Sequence, residues 1–88
     1  MTNTELEKFK KTLYNEVINE VQGRQGIPIT FTGIELEEKT ENNFVGSMLC
    51  AERSGRHWKV PLLAEIHGKE VVWNANDLGW YSFNFNLE

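Results

Sequence analysis

The stretch ERSGRHWK, Glu52–Lys59, gathers Arg53, Arg56, His57 and Lys59 around a glycine turn. Guanidinium, imidazole and ammonium groups beside turn amides can hold a phosphate or a carboxylate, so these residues form a candidate anion-binding rim. In an antiparallel meander alternate turns share an end, which places Arg24 near the same rim. The competing reading is ordinary solubilising charge on loops. Cys50 is the single cysteine. As a nucleophile it needs a nearby base and a lowered pKa, whereas its place in a strand pattern fits a small buried hydrophobe. His57 and His67 lack the H-x-x-x-H spacing that puts two imidazoles on one helical face, so no metal site is expected. Asp77 is the only aspartate, which removes a paired-aspartate site within one chain. The glutamates concentrate in ELEEKTE and along the first segment, where clustered charge reads as a solvated face. No P-loop, GxSxG, HExxH or dinucleotide fingerprint is present, and GRQG follows a helical pattern and lacks the phosphate-loop lysine. No catalytic residue and no cofactor is assigned.

The segment GWYSFNFN raises a different possibility. Alternation puts Tyr81, Phe83 and Phe85 on one face and Trp80, Ser82, Asn84 and Asn86 on the other. One reading packs the first set into a core. The other follows from position: a final strand is often an edge, and this one has no Lys or Pro to discourage pairing with another chain. Trp80 and Tyr81 are therefore the candidate interaction surface, for a protein partner or a homodimer formed by strand addition.

The elements that must position these residues come from 88 residues, 40% of them hydrophobic and 11% aromatic, enough for one domain over 1–86. Leu87-Glu88 resembles a cloning scar. Thirteen acidic against nine basic side chains give a net charge of −4, which argues against general nucleic-acid binding or attraction to an anionic membrane. No apolar run reaches the ~18–20 residues of a membrane span. The polar start MTNTELEKFKK lacks the apolar core of a signal peptide, so the chain as written is expected to be cytoplasmic, or exported if a signal segment has been trimmed.

Leu6, Phe9, Leu13, Val17 and Val21 recur at helical spacing, with Tyr14 and Ile18 widening the stripe. Thr2 with Glu5, or Thr4 with Glu7, offers a capping box; Gly23 and Gly26 offer a stop. The period then changes to two. Ile29 and Phe31 start an apolar face that slips phase at Gly33 and resumes at Ile34 and Leu36, which predicts a bulge. A polar turn over Lys39–Asn43 leads into NFVGSMLCAE, apolar on both faces as an interior strand is. Trp58, Val60, Leu62, Ala64 and Ile66 alternate after the Ser54-Gly55 hairpin, and Pro61 lacks a ladder donor and favours an edge or bulge. EVVWNA and WYSFNFN complete four to five strands. The expected fold is α+β, one N-terminal helix packed on a curved antiparallel meander.

From the first helix through GIPITFTGIELEEKTENNFVGSMLCAE to EVVWNA, this order resembles small uncharacterised bacterial domains of cystatin-like arrangement. FVGSM and GKEVVW are similar to strands of secreted or lipoprotein-borne modules in that group. The resemblance implies a binding or envelope role. The cystatin inhibitor motif Q-x-V-x-G is missing, so no functional residue is carried over. Two expectations result: a noncatalytic binding or protein-interaction module, or a small-molecule pocket or enzyme in the concave face, lined by Trp58, Trp73 and Tyr81 with Cys50, His57 or Glu65 converging on it.

Overall fold

Of the two capping boxes the sequence offers, Thr2 and Glu5 form the real one. The Thr2 amide donates to Glu5 Oε1 at 2.8 Å and the Glu5 amide donates to Thr2 Oγ1 at 3.1 Å. Two donors that the first helical turn would leave without partners are thereby satisfied. Helix α1 then runs over Asn3–Gln25, passing through Gly23 instead of stopping there. The computed structural model describes residues 1–25, 29–76 and 79–86, so the expected stop at Gly26 lies outside the described residues. Phe9, Leu13 and Val17 of the apolar stripe are fully buried, and Leu6, Tyr14, Ile18 and Val21 pack around them.

Five strands follow: β1 Ile29–Thr40, β2 Asn43–Glu52, β3 His57–His67, β4 Glu70–Ala75 and β5 Trp80–Asn84. They lie in one sheet in the order β1-β2-β3-β4-β5, each antiparallel to its neighbour. This is the α+β meander expected from the change of period. The register shifts between Phe31 and Gly33, where the apolar phase slips. A second shift, between Glu38 and Thr40, has no counterpart in the sequence reading. The strand keeps Lys39 and Thr40, and the turn is confined to Glu41 and Asn42, with Asn42 at φ 65°. Ladder pairing to β2 continues where the charge-rich composition alone suggests a turn.

Gly46 pairs with Leu36 where β1 leaves β2 no room for a side chain. A Cβ there would come within 1.9 Å of the Glu35 carbonyl oxygen. Pro61 sits where the β3–β4 ladder ends. Its carbonyl accepts from the Asn76 amide at 2.9 Å, and the reciprocal bond would need the N–H that proline lacks. β4 stops at Ala75, and the chain turns away at Asn76 with φ 51°.

The core lies between the helix and the inner face of the sheet. Phe9 packs against Phe44, ring centroids 4.8 Å apart, and against Phe85 at 5.4 Å; Trp73 stacks on Tyr81 at 4.8 Å. The helix is also tied to both outer strands. Tyr14 Oη donates to the Phe31 carbonyl of β1 at 2.9 Å. Lys8 Nζ donates to the Asn86 carbonyl just beyond β5 at 3.3 Å and lies over the Phe85 ring. Among the described residues no helix is long and apolar enough to cross a membrane.

Candidate protein-interaction edge

β5 divides its aromatic side chains as the alternation requires. Tyr81 and Phe83 are half-buried and Phe85 is buried, all toward the helix, while Trp80, Ser82 and Asn84 are exposed on the outer face. Trp80 and Tyr81, taken together as a candidate surface, thus lie on opposite sides of the sheet. Tyr81 is held against Trp73, and Trp80 alone faces outward, 56% exposed.

Backbone direction follows the same alternation. The Phe85 amide donates to the Lys69 carbonyl at 2.8 Å, so odd-numbered β5 residues turn their peptide groups toward β4. Those of Trp80, Ser82 and Asn84 therefore point away from the sheet along its free edge. Lys8 closes that edge at Asn86. Asn74 shapes the other end: its side chain is buried, and its Nδ2 donates to the Gly79 carbonyl at 3.1 Å, holding the residue that precedes Trp80. Gly79 itself has φ 109°, a conformation side-chain-bearing residues avoid.

Trp80 does not stand alone on the outer face. Val45 opposes Leu63, Leu63 opposes Asn74, and Asn74 opposes Trp80, so these residues form one row across β2 to β5. Val45 is 42% and Leu63 43% exposed. The row escapes sequence reading because only the register of the strands brings Val45, Leu63 and Trp80 into line.

Of the hairpin cations, His57 and Lys59 line one surface pocket with Cys50 and Trp58, while Arg56 lines another with Glu52 and Trp58. By alternation Arg56 and Trp58 lie toward the inner face and His57 and Lys59 toward the outer one. The Arg56 guanidinium sits 5.7 Å from the centre of the Trp58 ring, while Lys59 Nζ is 3.0 Å from Glu35 Oε2. Arg53 and His57 are exposed. The turn between them is tight: the Gly55 amide donates to the Glu52 carbonyl at 3.0 Å, and Gly55 has φ 89°.

The concave face is occupied by α1. Trp73 is fully buried beneath the helix and Tyr81, Trp58 is half-buried, and Glu65 faces outward beside His67, Oε1 to Nε2 3.4 Å. Cys50 is buried, with its Sγ 3.8 Å from the Met48 carbonyl, and burial pushes its thiol pKa up. Cys50 and His57 line one surface pocket together with Trp58 and Lys59, and Glu65 is not among its lining residues. Arg24 belongs to a part of α1 whose side chains are outside the described residues. Among the described residues no three of His, Cys, Asp or Glu form a metal-holding group.

No family model, curated protein or solved structure matches this chain.

Proposed function

We propose that this protein is a noncatalytic protein-interaction module that binds by strand addition along β5. The observation that carries this reading is Trp80, more than half exposed beside an edge whose outward peptide groups at Trp80, Ser82 and Asn84 extend no further ladder among the described residues. An added strand would take up those groups, while the indole and the apolar row behind it would contact the partner's side chains. The filled concave face supports an outer-surface role over a small-molecule site there. The cystatin-like resemblance, with its implied bacterial envelope setting, is retained as part of this proposal because the helix-on-sheet order agrees with it.

The test is selection of extended peptides from a random phage-displayed library, followed by amide chemical-shift mapping. Selected peptides are expected to shift the amides of Trp80, Ser82 and Asn84 and to lose affinity with Trp80→Ala. Peptides mapping to the Arg53–Lys59 hairpin, or a selection without enrichment, would remove the support for an interaction edge at β5.

A further inference from the structure

We propose, resting on that reading, that the strand received by β5 is β5 of a second copy, paired antiparallel about a two-fold axis at Ser82. The outward peptide groups belong to Trp80, Ser82 and Asn84, a set symmetric about Ser82. A two-fold there makes Ser82 pair with its own equivalent and Trp80 with the partner's Asn84, each through reciprocal N–H to carbonyl bonds. The two five-stranded sheets become one continuous sheet with both helices on the same side.

Side-chain chemistry agrees with this register. Gly79–Asn86 contains no Asp, Glu, Lys, Arg or His, so two copies of a chain with net charge −4 meet at this edge without like charges facing each other. On the helix side, Tyr81 falls opposite the partner's Phe83 at a non-hydrogen-bonded position, where cross-strand side chains approach most closely. Both are half-buried in one copy, so pairing covers aromatic surface that the single chain leaves partly open. On the outer face Trp80 lies beside the partner's Asn84, and the Val45–Leu63–Trp80 row of each copy runs up to the seam. The edge is also bounded: Lys8 holds the Asn86 carbonyl, which limits pairing to β5 and favours a closed dimer over an open fibre.

A seam this short covers less than the ~800 Å² per partner of a standard interface, so a weak, concentration-dependent dimer is expected. The experiment is light scattering from micromolar to millimolar protein, together with isotope-filtered NMR on a mixture of labelled and unlabelled chains. The expected result is a mass rising toward twice the monomer and an intermolecular contact between the Hα protons of Tyr81 and the partner's Phe83. Ser82→Lys places two ammonium groups opposite each other at the axis. Because Ser82 is exposed and its amide points away from β4, the monomer's circular dichroism should be unchanged while the dimer is lost. A monomer at every concentration, a dimer with contacts elsewhere, or a dimer indifferent to Ser82→Lys overturns the self-pairing. If the chain stays monomeric yet peptides from the display library still bind at Trp80, Ser82 and Asn84, only the identity of the partner is wrong. If neither occurs, the edge itself is not a binding surface.

Discussion

Replacing Gly46 with alanine sets two effects against each other, and the structure decides between them. Gly46 is not among the positive-φ glycines, so backbone conformation does not demand glycine here. Reduced entropy of the unfolded chain alone would then make Gly46→Ala stabilising by about 0.4–1 kcal/mol. The added Cβ, however, would lie 1.9 Å from the Glu35 oxygen, 2.8 Å from its carbonyl carbon and 2.9 Å from Leu36 Cα. Nonbonded heavy atoms rest at roughly 3.5–4 Å, so β1 must retreat by about 1.5 Å or more. The obstructing atoms are backbone, already paired as Glu35 with Ser47 and Leu36 with Gly46, and no side-chain rotation relieves them. Overpacking of this kind costs about 1–3 kcal/mol, which leaves a net destabilisation of about 1–2 kcal/mol. For a domain of this size that lowers the Tm by roughly 4–16 °C. Thermal unfolding followed by far-UV circular dichroism, with urea unfolding alongside, measures it. Gly33→Ala is the internal comparison, because the Cβ there meets the Leu49 side chain at 3.3 Å, and that group can yield. A Gly46→Ala variant as stable as the parent, or more so, would show that β1 does not cross β2 this closely.

Two further outcomes follow from titrating groups. Burial raises the Cys50 thiol pKa, so iodoacetamide should modify the folded protein far more slowly than the urea-unfolded chain at the same pH; equal rates would place the thiol at the surface. Glu5 is held below its ordinary pKa first by hydrogen bonding to the Thr2 backbone and then to its side chain. A folded pKa below the unfolded one means that the cap's contribution is complete above the unfolded value and is lost as pH falls through the folded value. Carbon-detected titration of the Glu5 carboxyl should therefore give a midpoint below that of a solvated glutamate, and Thr2→Ala should return it toward that value; a midpoint at or above the solvated value would contradict the capping geometry.

Elements whose periodicity had one dominant cause were legible from sequence. The helix stripe from Leu6 to Val21, the slip at Gly33 and the two faces of WYSFNFN all follow from burial of one side. The extent of β1 was less legible, because Lys39 and Thr40 have turn-like composition and are held by pairing with a strand that sequence alone does not bring alongside. The candidate surface was half legible. Trp80 was evident as an outward residue, but Tyr81 belongs to the core, since adjacent strand residues cannot share a face. Val45 and Leu63 join Trp80 only through the register of the intervening strands. The hairpin cations divide for the same reason: His57 and Lys59 share the outer face and one pocket, while Arg56 lies toward the inner face over Trp58.

The contact between Phe9 and Phe85 joins the first and last described elements of the fold. Neither ring can be fully packed until almost the whole domain has been synthesised, and the contact spans nearly the full length of the sequence. During translation α1 would leave the ribosome long before β5 exists, with its Phe9–Leu13–Val17 stripe still lacking the final wall of its core. The meander can assemble strand by strand behind it, but completion of the domain waits for residue 85. Docking of the last strand is therefore a late, long-range event, and the same event creates the free edge at Trp80, Ser82 and Asn84. A chain that has not finished folding does not yet present that edge to a partner.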